Sequence, residues 1–268
     1  MKPPPWPCGE KLRPARRETP RPRFAPRPAK RPASRKSPRI PQIVTSRNPP
    51  RLDVIAKGGQ TGPSQSREIQ MFYRPEEGHG LPHNPLNAII APRPIGWISS
   101  RGAMGDNLAP YSFCNLVAYV PPQIMFASTS SKPDRPQTKD SVAQIAESRV
   151  FCVNIADGSM RDQVNASSAA LPAGVSEFDA AGIARAECET IDCPRVAHAA
   201  AALECRMTQI LRLAGEANWM VLGVITGIHL REDCLVDGRF DLRAKGWLSR
   251  LGYKDYTTVT STFEMDRP

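Results

Sequence analysis

Two short hydroxyl-rich stretches carry the most chemistry in this chain. Ser128-Thr129-Ser130-Ser131-Lys132 follows one strand-like run, and Thr138-Lys139-Asp140-Ser141 opens a stretch with helical periodicity. A helix N-terminus presents N–H groups without intrahelical partners and a partial positive charge, so it attracts anions. Lys139 adds a full charge there, and the hydroxyls of Ser128, Thr129 and Ser141 would complete a phosphate cradle. On these residues alone, an ordinary cap beside solvated loop serines is the simpler account.

Other familiar chemistry is absent. No G-x-G-x-x-G lies between a strand and a helix, and there is no G-x-x-x-x-G-K-[ST], H-E-x-x-H or G-x-S-x-G. The four histidines, 79, 83, 198 and 229, do not pair at metal spacing. His79 and His83 are separated by Gly80 and Pro82, which spoil a helix. His229 falls in an apolar run and reads as a core histidine. The seven cysteines are odd in number, with no C-x-x-C pair, so neither a zinc site nor a disulfide scaffold is expected. They read as small buried apolar residues in a reducing compartment, the cytoplasm. No metal ligand and no catalytic acid–base side chain can be assigned.

The elements that must hold these residues are mostly strands. Runs at 95–100, 124–128 and 150–155 are short, β-branched or aromatic, and bounded by Pro, Asn or Asp. Residues 203–208 alternate strictly, which predicts one buried and one wet face. The run 219–230 is interrupted by Gly223 and Gly227, as suits a strand bending around a barrel. Asp237-Gly238 signals a hairpin, and 257–263 is a final threonine-rich strand. Helices are expected at 141–146 with Asp140 as N-cap, at 159–170, and at 176–181 with Ser176 as N-cap. Many short strands with a few peripheral helices predict a barrel rather than a doubly wound sheet.

The formal net charge of +10 is unevenly placed. Residues 1–70 hold 17 Lys/Arg against 4 Asp/Glu, whereas 71–268 hold 19 against 22. The first segment also holds 15 of the 28 prolines, as in RPRFAPRPAKRPASRKSPR. It is too poor in apolar residues to offset the entropy of ordering, so it reads as a disordered basic extension. A solvated tail or a start codon placed too early is the expectation, because Met71 is the first methionine after Met1 and patterned sequence begins there. A nucleic-acid-binding arm is disfavoured by the acidic body, and a transit peptide by the prolines. WMVLGVITGI, the longest apolar run, is too short to span a bilayer. Residues 71–268 suffice for one domain with a sizeable core.

The spaced segments PRPIGWISS, NLAPYSFCN, PPQIMFAS, KDS and FCVNI together resemble the flavin reductase-like, FMN-binding split-barrel family. The resemblance continues through VNASSAALPAG, SEFDAAGI, DGRFD and RLGYKDY, and covers 71–268 alone. It implies a mainly β, six-stranded Greek-key split barrel with a few peripheral helices, acting as a homodimer that binds FMN. Position by position, it implies that Trp97, Ile98, Ser99, Ser100 and Asn115 line the flavin ring. It further implies that Ser128, Thr129, Lys139, Asp140 and Ser141 face the phosphate. Cys114, Ser141 and Tyr253 depart from the residues common at their positions.

The activity so implied is NAD(P)H-dependent flavin reduction, with NADH or NADPH as donor and a partner monooxygenase as one destination for the reduced flavin. Flavin carries such chemistry itself, which accords with the lack of a catalytic dyad. An electron-carrying flavoprotein with little turnover is the alternative.

Overall fold

The computed structural model describes residues 71–132 and 138–268. The basic segment 1–70, with its expected disorder, lies outside the described residues.

Seven strands form the main sheet: β1 (Gly96–Gly102), β2 (Gly105–Tyr111), β3 (Cys114–Tyr119), β4 (Pro122–Ser128), β5 (Val150–Ile155), β6 (Ala201–Arg212) and β7 (Trp219–Leu230). Their order is β2-β1-β5-β6-β7-β4-β3, with every neighbouring pair antiparallel. The sheet curls on itself. Ile98, Tyr111, Phe126, Phe151, Val153, Cys205 and Val221, drawn from six strands, meet in one buried core, and β2 packs against β4 although the two are not neighbours in the sheet. The result is the split barrel that the sequence implied, with β3 continuing the sheet past β4.

Alternation along β1 explains how one strand serves two cores. Ile98 points into the barrel, whereas Trp97 joins Leu108, Met160, Val164, Phe178 and Leu248 in a second buried cluster. Burying each such side chain stabilises the fold by roughly 1.5–3 kcal/mol.

The two glycines of β7 sit where pairing with β6 slips, between Leu222 and Gly223 and between Ile225 and Gly227. A Cβ at Gly223 would lie 2.7 Å from the Phe151 ring, so the core itself requires glycine there. Such bulges bend a strand and increase its twist, which helps the sheet close.

The helix Asp140–Ser148 covers one end of the barrel through Val142 and Ile145. Gln144 ties it to the β1–β2 hairpin, accepting from Ser100 Oγ at 2.7 Å and donating to Gly105 O at 2.9 Å. Lys139, rather than the expected Asp140, is the N-cap residue, because its backbone is still extended (φ −79°, ψ 161°). The helix expected over 159–170 is shorter, a 3-10 turn at Gly158–Met160 followed by Arg161–Ala166. Ser176 is the N-cap of Glu177–Ala180 as expected, without a side-chain cap bond. The last strand is Tyr256–Val259; it pairs with Trp247–Arg250, which in turn pairs with Arg93–Pro94. Among the described residues, no helix is long and apolar enough to cross a membrane.

Five of the six described cysteines are buried free thiols, and Cys188 is the half-buried exception. The neighbouring Cys152 and Cys193 thiols lower the Cys188 pKa below the ordinary thiol value. Cys188 should therefore be alkylated first among the described cysteines. Its rate should rise less with pH than that of an ordinary thiol, because its pKa is lowered. Peptide mapping after iodoacetamide labelling checks this; a rate that climbs with pH as for an ordinary thiol would count against it.

Candidate functional site

A cleft of about 240 Å³ opens between β2, the N-terminus of the Asp140 helix and the segment after Arg161–Ala166. The sequence builds it from distant parts. Asn107 Nδ2 on β2 donates to Ser141 Oγ at 2.8 Å and fixes the helix N-terminus against the sheet. Trp97, fully buried, donates from Nε1 to Ser167 Oγ at 2.9 Å and sets that hydroxyl at the cleft wall. Ala109, Pro110 and Tyr111 supply an apolar side.

Charge in the cleft is unequal. Lys132 Nζ lies 2.6 Å from Asp140 Oδ2 and also donates to Leu171 O at 3.3 Å. Lys139 has no carboxylate partner among the described residues; its Nζ stands 5.7 Å from the centroid of the Tyr111 ring. Burial lowers the Lys139 pKa, and the nearby Lys132 lowers it further. The helix behind it has no side-chain cap, so its first N–H groups add to the positive potential. Glu177 is the cleft's other carboxyl; burial raises its pKa, and it accepts from Leu108 N at 3.0 Å.

Tyr111 lines the cleft, and Ser128 is buried beside it. Tyr111 and Ser128 each carry a hydroxyl with no hydrogen-bond partner among the described residues, although electrostatics places Ser128 and Ser141 beside the phenol. The three groups are thus close but not aligned for hydrogen bonding. Burial pushes the Tyr111 pKa up to about 12, so the phenol remains a donor at any ordinary pH. Buried polar groups without partners are costly, and an oxyanion would satisfy them.

A second cleft of about 270 Å³ shares Pro110 and Ser168 with the first and is lined by Arg93, Arg250, Tyr253 and Tyr256. Each cleft is slightly smaller than the roughly 300–1,000 Å³ usual for a cofactor pocket.

The residues singled out from sequence are distributed as follows. Lys139, Asp140 and Ser141 line the first cleft together, with Ser128 buried beside Tyr111. Trp97, Ile98, Ser99 and Ser100 are fully buried. Ser99 Oγ donates to Pro194 O at 2.6 Å and accepts from Asn154 Nδ2 at 3.0 Å. Asn115 and Thr129 are exposed, on β3 and just after β4. The cleft also recruits Asn107, Tyr111, Ser167 and Glu177, which sequence reasoning did not single out. All four lie inside the segments NLAPYSF, VNASSAA and SEFD, which carried the family resemblance.

A match to the flavin reductase like domain spans residues 90–243. The chain belongs to the flavin reductase-like family. A Deinococcus radiodurans protein is 35% identical over 191 residues, covering 68% of this chain and 82% of that one. Among solved structures, nitrilotriacetate monooxygenase component B from Bacillus cereus is 29% identical with a TM-score of 0.61, covering 67% of this chain and 91% of its own. A split-barrel protein from Shewanella frigidimarina has a TM-score of 0.61 at 19% identity, covering 68% and 90%, and supports the fold. For a flavin reductase-like chain, the buried hydroxyls without hydrogen-bond partners and the lysine without a carboxylate partner among the described residues fit a flavin phosphate.

Proposed function

We propose that the chain binds FMN and acts as an NAD(P)H:flavin oxidoreductase. The observation that carries this reading is Lys139, uncompensated by a carboxylate among the described residues, at an uncapped helix N-terminus beside the buried Tyr111. Lys139 and the first helix N–H groups hold the phosphate. Ser141, kept in place by Asn107, and the Ser128 and Tyr111 hydroxyls donate to its oxygens. Asp140 keeps Lys132 anchored beside them. Trp97 acts through Ser167, and Ser100 acts through Gln144, which holds the helix. Ile98 and Ser99 shape the barrel wall behind the site, and Asn115 and Thr129 meet the flavin from the exposed rim. Bound FMN would accept hydride from NADH or NADPH; no side chain is assigned a proton-transfer step.

The test is to purify the protein without added flavin, record its visible spectrum, and add NADH or NADPH anaerobically. A yellow protein that bleaches supports the reductase. A yellow protein that does not bleach supports an electron carrier, and one that never takes up flavin refutes the reading. The similarity to a monooxygenase component B favours a partner monooxygenase as recipient of the reduced flavin. The free thiols suit the cytoplasm.

A homodimer is part of the proposal. β3 lies at the end of the sheet, and Leu116, Val117, Tyr119 and Val120 beside it are 55%, 49%, 87% and 86% exposed. Such an apolar strip is suited to burial against a second copy. Sedimentation should show a dimer at micromolar concentration; a monomer alone would contradict it. Residues 71–268 are proposed as the whole flavin domain. A chain beginning at Met71 should keep its solubility and flavin affinity, and loss of either would count against this boundary.

A further inference from the structure

The pairing of Arg93–Pro94 with Trp247–Arg250 sets Arg93 directly opposite Arg250. Like charges placed so destabilise a sheet, and no carboxylate among the described residues pairs with either; the Arg93 Cζ stands 5.8 Å from the Phe113 ring centroid. Arg93, only 7% exposed, donates to three backbone carbonyls, those of Asn87, Ile90 and Leu251, the last at 2.8 Å. Arg250 donates to Tyr253 O at 2.5 Å and stacks with its Cζ 4.3 Å from the Tyr256 ring centroid. Carbonyls satisfy donors but cancel no net charge. The Arg93 Nε is buried without a partner, and burial, then Arg250, lowers the Arg93 pKa. Two guanidinium groups, one buried, are thus held in a cleft that opens beside the phosphate site at Pro110 and Ser168. Maintaining that arrangement is costly unless an anion arrives with a ligand.

We propose that the Arg93–Arg250 cleft is an oxyanion subsite, taking a phosphate or carboxylate group of the molecule that exchanges electrons with the flavin. The proposal rests on the FMN reading above. Guanidinium groups match such anions through paired N–H donors, which a lysine would not reproduce. The aromatic face of Tyr256 holds the Arg250 plane in place, and Ser112 and Asn87 offer further polar contacts at the rim.

Calorimetric titration of the FMN-saturated full chain with inorganic pyrophosphate and, separately, with succinate tests the subsite. The wild type should bind at least one of them. Arg250→Gln should weaken that binding by about ten- to a hundredfold, Arg250→Lys by less, and the Kd for FMN should stay within about twofold. Preference for pyrophosphate would assign the anion to a nucleotide donor, and preference for succinate to a carboxylic-acid acceptor. The proposal is overturned if neither probe binds the wild type at millimolar concentration, an outcome independent of how well any variant folds. Unchanged probe affinity in Arg250→Gln also overturns it. A variant that loses FMN affinity but keeps riboflavin affinity would make the arginines the flavin phosphate site, and overturns it too. If the chain takes up no flavin, the flavin reading fails by itself, and the same titration on the flavin-free protein still decides the subsite.

Discussion

Lys139→Ala should weaken FMN binding about ten- to a hundredfold while leaving riboflavin binding nearly unchanged. The phosphate of FMN is close to a dianion, and riboflavin lacks it. Lys139 is the cleft lysine whose charge no carboxylate takes up among the described residues, since Lys132 is engaged by Asp140 at 2.6 Å. A charge-assisted hydrogen bond in such a partly buried cleft contributes roughly 1.5–3 kcal/mol, which sets the expected loss. Burial and Lys132 already depress the Lys139 pKa, so a bound phosphate also restores its preference for the charged form. An ordinary lysine at this helix end would instead oppose the macrodipole. Its removal would then leave FMN affinity intact and raise stability by a few tenths of a kcal/mol. Titrating both flavins against both proteins separates the cases, and equal losses for FMN and riboflavin would reject the phosphate role.

Glu204→Gln should destabilise the fold by about 2–4 kcal/mol at neutral pH. Glu204 on β6 is fully buried, yet it accepts from Glu189 N at 2.7 Å, Thr190 N at 2.6 Å, Thr190 Oγ1 at 2.6 Å and His229 Nε2 at 2.5 Å. Burial alone would raise its pKa. The Thr190 hydroxyl, the Glu189 N–H, His229 and the Thr190 N–H outweigh it and hold the group at about 2, below the ordinary 4.5. Glutamine presents an NH₂ where two of those donors point. A carboxyl lowered on folding contributes its stability in full above the ordinary value and loses it as pH falls towards about 2. The gap between wild type and variant should therefore be widest at neutral pH and narrow on acidification. Thermal unfolding across that range checks both sign and size; a gap constant with pH would show that the carboxylate charge is not what matters. His229, expected as a core histidine, proves to be half-buried and a partner of this carboxylate.

Much of the barrel was legible because its central strands obey local rules. Val150–Ile155 and Trp219–Leu230 fall where their apolar runs begin and end, and both glycines of β7 mark irregular pairing. β2 was not among the expected strands, because Pro110 interrupts its strand pattern. It forms the other end of the sheet, where a proline costs no ladder bond it would need. β3 was not expected either, for a different reason. It is also an end strand, and its exposed Leu116, Val117 and Tyr119 give no in–out alternation.

The site was legible only in part. Lys139, Asp140 and Ser141 stand together in sequence and carry a helix-start signal of their own. Tyr111, Ser167 and Glu177 reach the same cleft from three other elements, and no local pattern reports contacts at such separation. Arg93 and Arg250 are joined only by strand register, which depends on the closed fold.

The most direct test is the crystal structure of the protein soaked with FMN. Phosphate density is expected in the first cleft, within hydrogen-bonding distance of Lys139 Nζ and the N–H groups that open the Asp140–Ser148 helix. Phosphate density between Arg93 and Arg250, or a flavin bound elsewhere on the barrel, would contradict it.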